Sequence, residues 1–431
     1  MFILKNLNRE QIAEGVYFNT ISDERFKTSR IAVTMIVELD RDKVAANAIV
    51  PNILTRSCAE YPTFLELSRK LNMMYGAALS GRSGKIGEFQ PITVSAAGLD
   101  DRYSLDGGSV YNEMAQLLCS VLFNPKVKDG AFDETDFKQE QRQLVDAVDA
   151  EFNDKRAYAF SRMLEVMCEG EKFSIKKYGT KEQVLALTPK TAYDAYLEII
   201  KTARIEIMCL GCSDVFAVKE LFKSEFEKIE RSPKTYSTEV IREAKEKKEH
   251  TDTLDIVQSK LILGFRAGVA HPDDEVLHTT LMAVVLGGTA HSKLFLNVRE
   301  KLSLCYYCAC RYDAYKGIVY IESGVEKENI EKAKAAIFEQ LENMKNGSIT
   351  DEEIESAKLS VSNSYLSSVD TSSGTQSWYV SQILKGTQRT PQEEADLISA
   401  VTKEQIVSAA NKLTLDTVYV LTGNDKEEEG K

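Results

Sequence analysis

Histidine is scarce in this chain of 431 residues: there are four, His250, His271, His278 and His291, and none precedes residue 250. A metal held by a pair of imidazoles on one helix therefore cannot be built from the first half of the sequence. An excess of basic charge is missing too. The 54 Lys and Arg against 66 Asp and Glu leave a net charge of -12, which argues against nucleic acid or an anionic membrane surface as the main partner and leaves a basic or peptidic one open. No apolar run is long enough to span a bilayer, and the opening Met1-Phe-Ile-Leu-Lys-Asn is too short in apolar residues for a signal peptide. A cytoplasmic location is expected.

Cysteine is not scarce. Eight of them without a secretory signal read as reduced thiols. Cys209-Leu-Gly-Cys212 and Cys305-Tyr-Tyr-Cys308 with Cys310 offer, on paper, a four-cysteine zinc site. The simpler reading is small core residues, because Cys209 ends the alternating run Ile205, Ile207, Cys209, while Cys308 and Cys310 share one face of a predicted strand.

The most informative stretch runs from Gly287-Gly288-Thr289-Ala290-His291-Ser292-Lys293-Leu294-Phe295 through Val298-Arg299-Glu300-Lys301 to Leu304-Cys305-Tyr306-Tyr307. Two glycines end one apolar helix, Ser292 is placed to cap the next, and Leu294, Phe295, Val298 and Leu302 form its apolar stripe. Alternation from Leu304 to Tyr312, a turn at Lys316-Gly317 and the run Ile318-Val-Tyr-Ile321 predict two strands.

This unit resembles the second half of the pitrilysin-type (M16) zinc peptidases, whose signature there is an Arg and a Tyr seven positions apart. Arg299 and Tyr306 stand at the matching positions. The resemblance implies that the pair reaches to the zinc site and holds the peptide substrate. A rigid fork of guanidinium donors and one phenol donor suit a peptide carbonyl as it becomes an oxyanion.

Along the chain, strands are expected between Val16 and Val37 and from Gln90 to Gly98. Helices are expected at about 45–55 and 63–74, and from Val110 to a stop at Asn124-Pro125. Longer helices should run from Phe137 through Met163, and Thr188-Pro189 should open another helix ahead of a strand at 205–210. The pattern then repeats. Thr402-Lys-Glu-Gln405 is a capping box whose sequel parallels Leu187-Thr-Pro onward, and Ser348 to Ile354 opens a helix as Phe132 to Phe137 does. This points to duplication of a unit of about two hundred residues. The expected organisation is a first half at 1–229, a polar linker at 230–252 and a second half at 253–431. The fold class is α+β, with helices packed on largely antiparallel sheets. The family resemblance implies the same plan.

Active members of that family carry His-x-x-Glu-His on a helix of the first half, two zinc ligands with a water-activating glutamate between them. Set on Ala45 to Thr63, the pattern puts Ala48, Pro51 and Asn52 at those positions, and the third ligand, a glutamate, falls near Ala147. No cofactor is therefore expected on this chain. A second motif, Ala270-His271-Pro-Asp-Asp-Glu275, resembles the zinc motif of PIG-L-type deacetylases but lacks that family's later His-x-x-His, and reads more simply as a helix start.

The resemblance implies a non-catalytic subunit that supplies Arg299 and Tyr306 to a homologous partner carrying the zinc, with a peptide as substrate and with homodimers possible when the chain is isolated. The alternative is a non-enzymatic structural or binding protein of the same fold.

Overall fold

The computed structural model describes residues 7–105, 107–211 and 214–424, which form two compact units. The first comprises the described part of Met1–Ala150, with Ile175–Ser237 and Ser368–Thr390. The second comprises Glu151–Ser174, Thr238–Ser367 and the described part of Pro391–Lys431. A single cut near residues 230–252 therefore does not separate them: residues 151–174 and 368–390 each join the unit built mainly from the other half of the sequence.

The strands of the first unit are β1 (Asn8–Ala13), β2 (Val16–Ile21), β3 (Thr28–Glu38), β4 (Ala78–Ser83), β5 (Phe89–Leu99), the small hairpin β6 (Val127–Lys128) and β7 (Ala131–Phe132), and β8 (Arg204–Leu210). Those of the second are β9 (Lys248–Leu254), β10 (Ser259–Arg266), β11 (Cys305–Asp313), β12 (Ile318–Val325) and β13 (Thr414–Gly423). The main sheets have the orders β1-β2-β8-β3-β5-β4 and β11-β12-β10-β13-β9. From the β4 and β11 edges the two are the same arrangement. Each begins with an antiparallel hairpin, and in each the fourth pairing is parallel, β8 with β2 and β13 with β9; the first sheet then adds β1, antiparallel to β2. The duplication is thus visible in topology, and the α+β class with largely antiparallel sheets holds.

Helices α1 (Val44–Leu54), α2 (Phe64–Met73), α3 (Val110–Phe123) and α4 (Glu134–Asn153) lead to α5 (Lys155–Met167). After it come α6 (Lys181–Ala186), α7 (Pro189–Thr202) and α8 (Phe216–Glu227). The second half adds α9 (Val276–Gly287), α10 (Ile330–Lys345), α11 (Asp351–Ser367), α12 (Ser372–Lys385), α13 (Pro391–Ser399) and α14 (Lys403–Lys412). Capping boxes at Thr63, Thr180, Thr188 and Thr402 satisfy the free amides of four helix starts. Asp154 breaks the long run between α4 and α5 by accepting from the amides of Arg156 and Ala157.

Both faces of each sheet are covered. On β8, Ile205, Ile207 and Cys209 join the main core of the first unit, whereas Met208 and Leu210 pack with Tyr379, Val380 and Ile383 of α12. On the second sheet, Leu261, Leu263 and Phe265 belong to the main core, and Ile262, Tyr419 and Leu421 pack with Ala159, Met163 and Met167 of α5. Burying each such side chain stabilises by about 1.5–3 kcal/mol, so the two exchanged helices matter to both sheets.

The α5 segment is also pinned by charge. Glu171, just beyond α5, accepts from Arg266 at 2.7 Å and pairs with Lys316 at 2.7 Å, while Arg266 reaches Asp416 at 2.8 Å. All four side chains are buried.

Three edge strands were not anticipated. β1, β4 and β9 are largely polar and half-exposed, and β9 takes Lys248 to Asp252 out of the expected linker by pairing with β13.

Burial opposes ionisation of Glu171, but the hydrogen bonds from Arg266 and Lys316 outweigh it and hold the carboxyl below its ordinary 4.5. A lowered folded value means that this stability is present above pH 4.5 and is lost as pH falls through the folded value. Glu171→Gln should cost about 3–5 kcal/mol, because it leaves two buried cations short of their partner, and should flatten the acid limb of stability. Urea denaturation of both forms between neutral and acid pH measures this.

Candidate functional site

Ala48, Pro51 and Asn52, the positions at which the resemblance sets the metal motif, lie on α1 of the first unit. Ala48 is 2% exposed, Pro51 is buried and Asn52 is half-buried. Pro51 sits inside the helix, where it removes one backbone donor. The carbonyl of Pro51 lies so close to β4 that a Cβ on Gly81 would meet it at 2.2 Å. This stretch of α1 is therefore packed backbone to backbone against an edge strand. Its first turn is tied to β5, since the Gln90 amide donates to Val44 O at 3.0 Å and Asn47 donates to Gln90 Oε1 at 3.1 Å. Ala147 is half-buried on α4, with Asp146 exposed beside it.

A methyl, a pyrrolidine, an amide and a second methyl supply no imidazole and no carboxylate, so these residues do not fit a zinc ion or activate a water. Among the described residues no group of three His, Cys, Asp or Glu is arranged to hold a metal. Cys209 is buried in the core of the first unit, and Cys212 lies outside the described residues.

The histidines are engaged elsewhere in the second unit. His250 bonds to Asp252 at 2.8 Å and stacks on Tyr419, and His271 sits edge-on to Tyr315. In the His-Pro-Asp-Asp-Glu motif, Asp273 accepts from the Ala270 amide and pairs with Arg242 at 2.6 Å, while Glu275 pairs with Lys412. Those carboxylates shape a turn into α9.

The Gly-Gly stretch works through close approach. A Cβ on Gly287 would lie 2.5 Å from the Cys310 amide, so the end of α9 rests directly on β11. The helix that follows, Leu294–Lys301, is π-helical, and Ser292 does not cap it: its hydroxyl donates instead to Thr289 O at 2.6 Å. Of the expected stripe only Leu294 and Val298 are buried, while Leu302 is 48% exposed. Widening from α to π alters which side chains face the core.

That turn presents Arg299, half-exposed, with its guanidinium 4.5 Å from the centre of the Phe295 ring and 3.6 Å from Glu300. Ser303, at φ 51°, then turns the chain into β11. Tyr306 is the extra residue of a bulge at the start of β11 and is 57% exposed. Its hydroxyl donates to Glu326 Oε1 at 2.5 Å, and that carboxylate raises the phenol above its ordinary value. Beside it, the Cys305 thiol is held below its ordinary value, first by a hydrogen bond with Cys308, against burial, and then by Ser323 and the charge of Arg299. Glu326 and the contact between Cys305 and Cys308 were not read from the sequence. Both depend on the bulge and on the pairing of β11 with β12, which no local pattern reveals.

Comparison with known proteins bears on both halves. A family model described as "Peptidase M16 inactive domain" matches residues 186–361. A protein of Bacillus subtilis (strain 168) named "Probable inactive metalloprotease YmfF" is 30% identical over 411 residues, covering 95% of this chain and 96% of its own. The chain belongs to the peptidase M16 family. A second protein of Bacillus subtilis (strain 168), named "Uncharacterized zinc protease YmxG", is 27% identical over 171 residues, 38% of this chain and 42% of its own. The crystal structure of a conserved protein from Enterococcus faecalis V583 superposes with a TM-score of 0.92 at 25% identity, covering 98% of this chain and 100% of that one.

From the donor set, the purified chain alone should carry well under one zinc and cleave no peptide. Elemental analysis of protein prepared without chelators, together with a peptide-hydrolysis assay, checks this; one tightly held zinc per chain, whose removal abolishes cleavage, would contradict it.

Proposed function

We propose that this chain is the non-catalytic subunit of a heteromeric M16 metallopeptidase and that it supplies Arg299 and Tyr306 to a homologous partner carrying the zinc. The observation behind the reading is a contrast. At the family's metal positions Ala48 and Pro51 are packed away, whereas Arg299 and Tyr306 both reach solvent, on a π-helical turn and a bulge. An aromatic exposed to this extent on a strand does little for the core, so its retention fits a role in contact with another molecule. In use, Tyr306 would exchange Glu326 for the substrate.

The existence in one Bacillus subtilis strain of both an inactive-metalloprotease relative and a zinc-protease relative supports pairing of the two kinds of chain. The partner keeps the imidazoles and the glutamate, and peptide is the substrate. The net charge of -12 speaks against nucleic acid or an anionic membrane as a competing partner. The proposal places the complex in the cytoplasm, and among the described residues no helix is long and apolar enough to cross a membrane. Isolated chains would use the same partner surface to form homodimers.

A second reading, a structural or binding protein of this fold without a substrate, is favoured by one feature: the Tyr306 hydroxyl already has a partner in Glu326.

The two readings separate by mutation. In the complex reconstituted with its zinc-bearing homologue, Arg299→Ala or Tyr306→Phe should lower kcat about a hundredfold or more, as loss of an oxyanion donor does elsewhere, with subunit association unchanged. Phe keeps the ring and removes only the hydroxyl. Unchanged cleavage in an intact complex would favour the structural reading.

A further inference from the structure

The bulge that carries Tyr306 has a second consequence. Cys305 lies opposite Val325, Tyr307 opposite Gly324 and Cys308 opposite Ser323, so one residue of β11 is left over between the first two pairs. In a regular strand side chains alternate, and residues three apart point to opposite faces. The extra residue cancels that offset and brings Cys305 and Cys308 onto the same face as near neighbours. On that face they are two register positions apart, with Ser323 directly opposite Cys308. Cys308 is 4% exposed, whereas Cys305 is only partly buried. A reagent from solvent therefore meets Cys305 first. Arg299, on the preceding turn, favours the thiolate there.

We propose that Cys305 and Cys308 form an oxidisable dithiol that closes to an intramolecular disulfide on reaction with a hydroperoxide. The Cys305 thiolate attacks the peroxide oxygen, the O–O bond breaks and water leaves once a proton is supplied, giving a sulfenic acid. The Cys308 thiol then attacks that sulfur, the S–OH bond breaks and a second water departs. With hydrogen peroxide the balance is two thiols and one peroxide to one disulfide and two waters; the sulfurs lose two electrons and the peroxide gains them. Two register positions along a strand span about 6.6 Å, within the Cα separations that a disulfide bridges. Cys310 shares the face and is as buried as Cys308, but it is paired opposite Ile321, two register positions beyond Cys308, and so is the more distant thiol from Cys305.

The dithiol chemistry stands by itself. Its effect on substrate holding rests on the function proposed above: a bridge across the bulge fixes the backbone that presents Tyr306.

The test uses the full reduced chain treated with hydrogen peroxide and then alkylated and digested. Two of the eight thiols should be lost, both in the peptide containing Cys305 and Cys308, and dithiothreitol should restore them. In Cys308→Ser the sulfenic acid should persist at Cys305 and be trapped by a 1,3-dione, and Cys305→Ser should show neither product. The idea fails if both thiols remain alkylatable while other cysteines are oxidised, if Cys305 goes to the sulfinic acid without bridging, or if the bridge joins Cys310 or a second chain. Peptide mapping of the unmutated chain decides even if a variant does not fold. Peptidase assays of the reconstituted complex are a separate readout: a disulfide that forms without changing cleavage would leave the dithiol intact and remove only its link to Tyr306.

Discussion

A buried carboxylate, Glu171, organises much of what surrounds it. It brings Arg266 and Lys316 to one point inside the second unit, and through Arg266 it is joined to Asp416 on β13. A buried ion pair adds little to stability compared with a well-packed apolar core, yet removing one partner is costly, and the arrangement favours one placement of the segment over others. What it places is α5, a helix that follows the strands and helices of the first unit in sequence but covers the outer face of the second sheet. In the first unit α12 has the corresponding role with fewer charges: Arg30 bonds Gln376, and Tyr379 and Ile383 fill the face beside Met208. Each sheet depends on a helix from the other half of the sequence, so neither half is an independent folding piece.

That plan is kept while the chemistry on it has changed. On α1, where the resemblance sets the metal motif, the chain has a close-packed helix with Pro51 in its interior and Gly81 of β4 against its backbone. Alanine and proline there fill space without needing partners. A buried histidine or glutamate without a metal would need other groups to satisfy its polar atoms. The Arg299 and Tyr306 region has not been absorbed in the same way. It remains a set of polar tips on irregular backbone, a π-helical turn, a residue at positive φ and a bulge, the kinds of local departure that cluster where a surface contacts something else.

Much of this could be read from the residues alone. The helices with strong period and good caps, such as those beginning at Thr188 and Thr402, were legible because the capping chemistry is local. So were β3, β5, β8 and β12, whose apolar content is set by burial, whereas β10, at the centre of the second sheet, was not read. The polar edge strands β1, β4 and β9 escaped because they have little apolar alternation to betray them. The exchange of α5 and α12 was invisible for another reason: an apolar stripe says that a helix is covered, never by which sheet. The same limit hid the contact between Cys305 and Cys308, since simple alternation places them on opposite faces and only the bulge reverses that. The expectation of no zinc on this chain rests on composition, because four histidines confined to one part of the chain cannot supply a pair of imidazoles to the first half.

The central claim is that this M16 chain works beside a zinc-bearing homologue, and the most direct measurement is purification of the tagged full chain from its own cells, with quantitative mass spectrometry and elemental analysis of what elutes. The account predicts a homologue with His-x-x-Glu-His in near-equal amount, and zinc in proportion to that homologue. Elution of the chain alone or with only its own copies, free of zinc and of any such homologue, would contradict it.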